Sequence, residues 1–330
     1  MVLRRGSHLA AMTVPDFFIV GSPKTGTTAL YEMLKTHPQV FMPRIKEPRF
    51  LGSDLRPRQG HEQAVREQGY PKTMAEYVAL FEGAQPGQHA GEATPTYLWS
   101  KSAPDAIADL QPDARIIAIL REPASFLRSL HLSFILGHNE GERDLRKAMS
   151  LEDARRAGKQ IPRSSHRPQL LQYSEHVRYV EQLSRYQARF SQDQILVLIY
   201  DDFRRDNEGT LRRVLDFIGV DATAPVDVKQ ANVTRQTVRS QRAAQVIKTV
   251  SRGSGPVARS TKAATRALTT RSMRAGMLQI IKNRFVKAEV PPSDEQFMLE
   301  LRRRFKPEVV ALSDHLGRDL VSLWGYDKLD

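Results

Sequence analysis

The chain has 330 residues, with 50 Lys or Arg, 37 Asp or Glu, a formal charge of +13, 40% hydrophobic residues and no cysteine. That composition suits one large α/β domain or two smaller ones, and does not suit a chain that is disordered or coiled-coil throughout. The lack of cysteine excludes disulfides, Cys-containing zinc sites, iron–sulfur clusters and thiol nucleophiles, and it fits a reducing compartment, so a cytoplasmic location is expected.

Residues 1–13 read as an N-terminal tail. Arg4 and Arg5 are basic, but Ser7 and His8 interrupt any apolar stretch after them, which makes a poor signal peptide. Gly6-Ser7-His8 fits a cloning-vector remnant as well as a native tail. No stretch approaches the roughly 18 to 20 consecutive apolar residues of a membrane span.

The run Phe17-Phe18-Ile19-Val20 is short, aromatic and β-branched and stops at Gly21, which predicts a buried strand entering a turn. After the loop from Gly21 to Thr27, the apolar residues Ala29, Leu30, Met33 and Leu34 recur at helical spacing, and the helix should end near His37-Pro38. The runs Ile116 to Leu120 and Ile195 to Ile199 are each followed by a polar loop and a helical pattern. Continuous apolar strands alternating with helices imply an α/β fold of P-loop type, three layers (α/β/α) around a central parallel sheet. Sites in such folds form at the carboxyl ends of the strands.

Helices are expected over Phe126 to Leu136 and Leu170 to Phe190, and residues 137–168 between them, rich in charge and Gly, read as an insertion over the sheet. The stretch Gln296 to Leu323 reads as helix with a break near Lys306-Pro307. Ser251 to Arg274 has weak periodicity and reads as a mobile loop or a loosely specified helix. Helical patterns resume at Met277, so residues 14–330 are read as a single domain.

The charge is unevenly spread. Val228 to Ala288 holds 14 basic residues and no acidic one, while the remaining 36 basic and 37 acidic residues nearly cancel. The surplus therefore belongs to one segment, and it raises the question of nucleic acid or another polyanion as a ligand.

The strongest local signal is Gly21-Ser22-Pro23-Lys24-Thr25-Gly26-Thr27-Thr28, between a predicted strand and a predicted helix. Glycines allow close approach of backbone N–H groups, and the helix N-terminus carries partial positive charge, so the loop suits a phosphate. A nucleotide triphosphatase needs Lys directly after the second Gly, whereas Thr27 stands there and Lys24 lies inside the loop. A second candidate follows the strand ending at Leu120. Arg121 can fork two donors to a phosphate, and Ser129 on the following helix can add a hydroxyl; alternatively Arg121 pairs with Glu122 and Ser129 lies on the surface.

Taken together, these loops resemble the sulfotransferases that use 3′-phosphoadenosine 5′-phosphosulfate (PAPS), especially the branch with heparan sulfate sulfotransferases and bacterial carbohydrate and natural-product enzymes. The resemblance is carried by PKTGTTAL at Pro23 to Leu30, HP at His37-Pro38, KEPRFL at Lys46 to Leu51, GEATPTYL at Gly91 to Leu98 and RIIAILREP at Arg115 to Pro123. It continues through ILVLIYDDF at Ile195 to Phe203 and LGRDLVSLWGY at Leu316 to Tyr326, and so covers nearly everything from Val14 onward. It implies that Lys24, Thr25, Gly26, Thr27 and Thr28 contact the 5′-phosphosulfate and that Arg121 and Ser129 hold the 3′-phosphate. Lys24 would sit against the bridging oxygen where charge develops on the leaving phosphate, and no metal would be required.

An acceptor hydroxyl must lose its proton as sulfur is attacked, so a carboxylate or imidazole should face the sulfate. The resemblance points to Glu47 as that base. A free Glu titrates near 4.3, weak for an alcohol, so burial should raise its pKa or the proton should move late; otherwise Glu47 is a surface ion pair with Lys46 or Arg49. His89 and His131 are weaker candidates, Glu92 could orient the acceptor or Lys24, and Tyr97 and Trp99 could line an acceptor pocket whose walls come from residues 137–168 and the C-terminal tail.

The resemblance therefore implies transfer of a sulfuryl group from PAPS to a hydroxyl, or less readily an amine, of a carbohydrate or natural-product acceptor, leaving adenosine 3′,5′-bisphosphate (PAP). The rival readings are a P-loop nucleotide kinase, against which Thr27 stands, and a polyanion- or nucleic-acid-binding protein using the basic segment. Within the resemblance, residues 228–288 read as a lid over the anionic donor, with Arg252-Gly253 faintly similar to the family's Arg-Lys-Gly contact. Nucleic acid is then not expected as a partner.

Overall fold

The computed structural model describes residues 13–58, 70–228, 236–238, 287–289 and 294–329. Strand β1 (Phe17–Gly21) is fully buried, as its unbroken apolar run requires. Its side chains alternate between two cores: Phe17 and Ile19 face one side of the sheet, Phe18 and Val20 the other. Helix α1 (Thr27–Leu34) comes next, stopping short of His37-Pro38. After it stand β2 (Val40–Phe41), α2 (Met74–Val78), β3 (His89–Ala93), α3 (Ala103–Leu110) and β4 (Arg115–Leu120). Helix α4 (Pro123–Leu136), the short helices α5 (Leu145–Ser150) and α6 (Glu152–Arg156), α7 (Tyr179–Gln187) and β5 (Ile195–Ile199) continue the chain. It then runs through α8 (Tyr200–Arg205), α9 (Asn207–Ile218), β6 (Gln236–Val238), β7 (Lys287–Glu289), α10 (Glu295–Leu316) and α11 (Leu320–Leu323).

The five-stranded sheet has the order β2-β3-β1-β4-β5, with every pair parallel. After β1 the chain builds first on one side of it and then on the other, so β1 marks the switch point where a crevice opens beyond the carboxyl ends of the strands. Helices cover both faces, which is the three-layer α/β fold expected. The antiparallel pair β6–β7 brackets most of the basic segment, whose remainder lies outside the described residues. Among the described residues no helix is long and apolar enough to cross a membrane.

Two helical expectations are corrected. Helix α10 runs unbroken through Pro307, although an interior proline removes a hydrogen bond and costs about 3 kcal/mol. Buried Phe297, Leu301 and Phe305 before it and Val309 and Leu312 after it keep one apolar stripe on the core, and that burial outweighs the defect, at roughly 1.5–3 kcal/mol for each large side chain. Leu170 to Phe190 is not one helix: Pro168–Leu171 and Tyr173–Val177 are single 3-10 turns before α7. The side chain of Gln172 donates to the Glu152 carbonyl at 3.1 Å and His176 Nε2 donates to the Leu170 carbonyl at 2.9 Å, so tertiary polar contacts replace the helical ladder there.

The insertion at 137–168 is tied down by a buried ion pair. Arg155 forks onto Glu140 with both bonds at 2.8 Å, and Tyr173 donates its hydroxyl to the same carboxylate at 2.9 Å. The C-terminal LGRDLVSLWGY stretch is tied to the ends of β4 and β5: Tyr326 donates to Glu122 at 2.5 Å, and Trp324 Nε1 to Asp201 at 2.9 Å.

Candidate active site

The carboxyl ends of β1, β3 and β4 open into one cleft of about 1200 Å3. Lys24, Gly26, Thr27, Thr28, Glu47, Arg121 and Ser129 all line it, although they come from separate stretches of sequence. Among the described residues seven cations reach the cleft (Lys24, Arg49, Arg121, Arg128, Arg167, Arg204 and Arg302) against two carboxylates, Glu47 and Glu295. An anionic ligand is what such a surface attracts.

The first wall is the loop between β1 and α1. Gly21 passes so close to the turn after β3 that an added Cβ would sit 2.4 Å from Leu98 Cβ. Gly26 caps α1 in the left-handed region (φ 87°) and no side chain caps the helix, leaving its leading N–H groups for another acceptor. Thr25 is buried with Oγ1 donating to the Ser22 carbonyl at 2.7 Å, so its side chain holds the loop and any ligand contact there must come from the main chain.

The second wall is the end of β4 and the start of α4. Glu122 does not pair with Arg121; its carboxylate accepts from the backbone N–H groups of Ala124 and Ser125 and caps α4. Arg121 stacks over the Tyr200 ring at 4.7 Å and donates to the Lys24 carbonyl at 3.2 Å. Among the described residues no carboxylate neutralises it. Burial and the charge of Arg121 lower the pKa of Lys24, with Glu47 acting in the opposite direction. Ser125, Arg128, Ser129, Leu132 and Ser133 recur at helical spacing along the cleft-facing stripe of α4.

The third wall is the Lys46-Glu47-Pro48-Arg49 turn. Lys24, Glu47 and Arg49 have φ of 66°, 59° and 56°, a left-handed conformation that costs a non-glycine residue on the order of 1–3 kcal/mol. The turn is held against β3 and the residue after it: Glu47 N donates to the Ala93 carbonyl at 3.0 Å and Arg49 N to Thr94 Oγ1 at 3.4 Å. Glu47 is flanked by Lys46 Nζ at 2.9 Å and Arg49 Nη2 at 2.5 Å, and its side chain is 28% exposed. Burial pushes its carboxyl up, but Arg49 and Lys46 overcome that and hold it at about 2. The expected rise in its pKa is therefore corrected, because the nearest charges are both positive.

Among the described residues the other sequence candidates lie off the cleft lining. Tyr97 is fully buried; its hydroxyl accepts from Leu51 N at 3.0 Å and donates to Glu92 at 3.3 Å, so it is a core residue and does not line an acceptor pocket. His131 is buried between the Tyr173 hydroxyl at 3.0 Å and the Arg143 carbonyl at 3.1 Å, which makes it a satisfied core histidine that does not face an acceptor. Glu92 is fully buried behind the turn, with Tyr77 OH at 2.6 Å on Oε2 and Oε1 without a hydrogen-bond partner, so it cannot orient an acceptor by direct contact. His89 opens β3 at the end remote from the cleft, and Trp99 stacks on His176, a cleft residue, at 5.0 Å. Arg252 and Gly253 lie outside the described residues.

The sequence reading missed Arg128, Arg167, Arg204 and Arg302. Arg128 was reachable, since it shares the helical face of Ser125 and Ser129; Arg302, seven positions into α10, carries no local signal.

A profile of the sulfotransferase family matches residues 15–224, nearly two thirds of the chain, from before β1 to just past α9. The chain belongs to that family. Over 168 residues this sulfotransferase is 30% identical to human carbohydrate sulfotransferase 15, covering 39% of this chain and 29% of that protein. It is 28% identical over 214 residues to mouse heparan sulfate glucosamine 3-O-sulfotransferase 3B1, covering 65% of this chain and 48% of that one. The alignments thus span less than half the length of these relatives. A solved sulfotransferase from Alicyclobacillus acidocaldarius shares the fold, with a TM-score of 0.66 and 22% identity over 94% of this chain and 98% of that one.

Proposed function

We propose that this sulfotransferase moves the sulfuryl group of PAPS to a hydroxyl, and less readily an amine, of a carbohydrate or natural-product acceptor, leaving PAP. One observation carries the reading: Lys24 and Glu47 face a single cleft that also holds Arg121 and Ser129. The residues fit a doubly anionic nucleotide, because Lys24 and Arg121 repel one another and an anion between them relieves both.

In this reading the N–H groups at the start of α1 and the Thr27 and Thr28 hydroxyls bind the 5′-phosphosulfate, and Arg121 and Ser129 bind the 3′-phosphate. PAPS supplies the activated sulfur. Lys24 stabilises the charge that gathers on the bridging oxygen as the sulfur–oxygen bond to phosphate breaks. Glu47 receives the proton of the attacking hydroxyl as the new sulfur–oxygen bond forms, and passes it to solvent. A carboxylate held near 2 is a weak base toward a free alcohol, so the proton moves late, once bonding to sulfur has made the hydroxyl strongly acidic. No metal ion is part of this proposal, and a cytoplasmic location belongs to it on the strength of the cysteine-free composition.

The test is thermal unfolding with PAP, ADP, and ATP with magnesium. A ligand at about 100 times its dissociation constant adds roughly 2.7 kcal/mol, and PAP should raise the midpoint most. Stabilisation by ATP with magnesium and not by PAP would favour a nucleotide kinase and reject sulfuryl transfer.

A further inference from the structure

The Glu47 end of the cleft holds more positive charge than Glu47 can neutralise. Arg167 lines the cleft and donates Nε to the Leu55 carbonyl at 2.9 Å, and among the described residues no carboxylate hydrogen-bonds its guanidinium. Burial and the neighbouring charge of Arg49 lower its pKa to about 10. Arg49 binds Glu47 through Nη2, while its Nε is buried without a hydrogen-bond partner. Lys46 occupies the other Glu47 oxygen. Three cations thus share one carboxylate, and the two guanidiniums repel one another.

The wall beside them is of different chemistry. The Arg167 carbonyl accepts from Leu170 N at 3.1 Å, and the Leu170 carbonyl accepts from His176 at 2.9 Å. Phe134 lies 6.2 Å from the His176 ring. Leu170, His176 and Phe134 all line the cleft, so an apolar and aromatic surface continues from the arginine pair. Two mutually repelling guanidiniums that line one cleft are relieved by a planar anion that they can grip in bidentate fashion.

We infer that the acceptor is a hydroxylated organic acid with an apolar or aromatic portion, its carboxylate gripped by Arg49 and Arg167 and its apolar part resting on Phe134, Leu170 and His176. The hydroxyl to be sulfated then meets Glu47. This inference rests on the sulfuryl-transfer reading and adds the acceptor's chemical class to it.

The test uses the full chain saturated with PAP, and calorimetric binding of 4-nitrophenyl β-D-glucuronide, its methyl ester, and 4-nitrophenyl β-D-glucoside. The glucuronide should bind at least tenfold tighter than the two neutral compounds. Arg167→Gln should abolish that preference while PAP affinity stays within twofold, which also reports that the variant is folded. Equal affinity for the three compounds, no binding of the glucuronide, or a preference that survives Arg167→Gln each overturns the inference. So does tighter binding of a sulfated oligosaccharide than of the glucuronide, which would assign the charge to a polyanionic chain. If Arg167→Gln does not fold, Arg167→Lys, which keeps the charge and loses the bidentate fork, should weaken the preference, and the ester comparison on the unaltered chain still decides. Failure of PAP itself to bind removes the underlying transfer reading, whereas PAP binding without acid preference removes only this inference.

Discussion

Arg49 Nη2 lies 2.5 Å from Glu47 Oε2, and both residues hold left-handed backbone conformations on the same turn. The turn is hydrogen-bonded to Ala93 and Thr94, so the carboxylate that faces Lys24 across the cleft is fixed both in position and in charge. Its ionisation is set by Arg49 and Lys46 against the effect of burial.

Glu47→Gln should leave PAP affinity within about twofold and lower sulfuryl transfer by roughly 100-fold or more, the usual scale of a lost general base. With the carboxyl held at about 2, the rate should show no inflection from Glu47 above about pH 3, since a base works when deprotonated and stays so down to its pKa. A pH–rate profile with labelled donor measures both, and near-normal turnover in the variant would remove Glu47 from the chemistry.

Glu92 should give a pH-dependent stability. Burial first, and the nearby Glu47 charge in addition, raise it to about 7 against hydrogen bonds from Thr94, Tyr77 and Tyr97. A carboxyl whose folded pKa exceeds its unfolded value of roughly 4.3 stabilises the fold fully below that value, and the contribution is lost as pH rises through 7. The shift corresponds to roughly 3–4 kcal/mol. Urea unfolding between pH 4 and 8 should show this loss in the native chain and a flatter curve in Glu92→Gln; identical slopes would mean that Glu92 titrates normally.

Arg121→Ala should weaken PAP at least tenfold more than it weakens adenosine 5′-phosphosulfate, which lacks the 3′-phosphate, because a charge-assisted contact is worth about 1.5–3 kcal/mol. Competition binding against both nucleotides distinguishes this from general damage to the cleft, which would weaken them equally.

Arg155→Met should destabilise the chain by about 3–5 kcal/mol, the scale of removing one partner from a buried ion pair, since Arg155 and Glu140 are both fully enclosed. Replacing both partners, as Arg155→Met with Glu140→Leu, should recover part of that loss. Chemical denaturation of the single and double variants provides the comparison, and a single variant as stable as the native chain would show that the pair does not hold the 137–168 insertion.

Strands β1, β4 and β5 were legible because each is a continuous apolar run, although β5 is an edge strand and only half-buried over its first three residues. Strand β3 reads HAGEA, which carries little strand propensity; it is a strand because Gly91 lies under the Phe17 ring, where an added Cβ would come within 2.1 Å of the ring. Two-residue β2 has no pattern to read. At the site, the Lys24 loop and Glu47 could be found because each motif is contiguous, whereas the burial of Tyr97 and His131 depended on partners 46 and 42 residues away, Leu51 and Tyr173.

The amino-acid sequence by itself determined the parallel α/β architecture, the loop between β1 and α1 and the family, since these depend on local periodicity and on short motifs in a fixed order. Its charge of +13 could be assigned largely to residues 228–288, but the cations described at the cleft come from elsewhere. Only the tertiary structure decided that Arg49 and Lys46 keep Glu47 ionised, that Glu92 lies sealed behind it, and that Arg167 and Arg302 reach the same cleft from distant segments. Charges interact through space over a few ångströms, and which of them meet is set by packing.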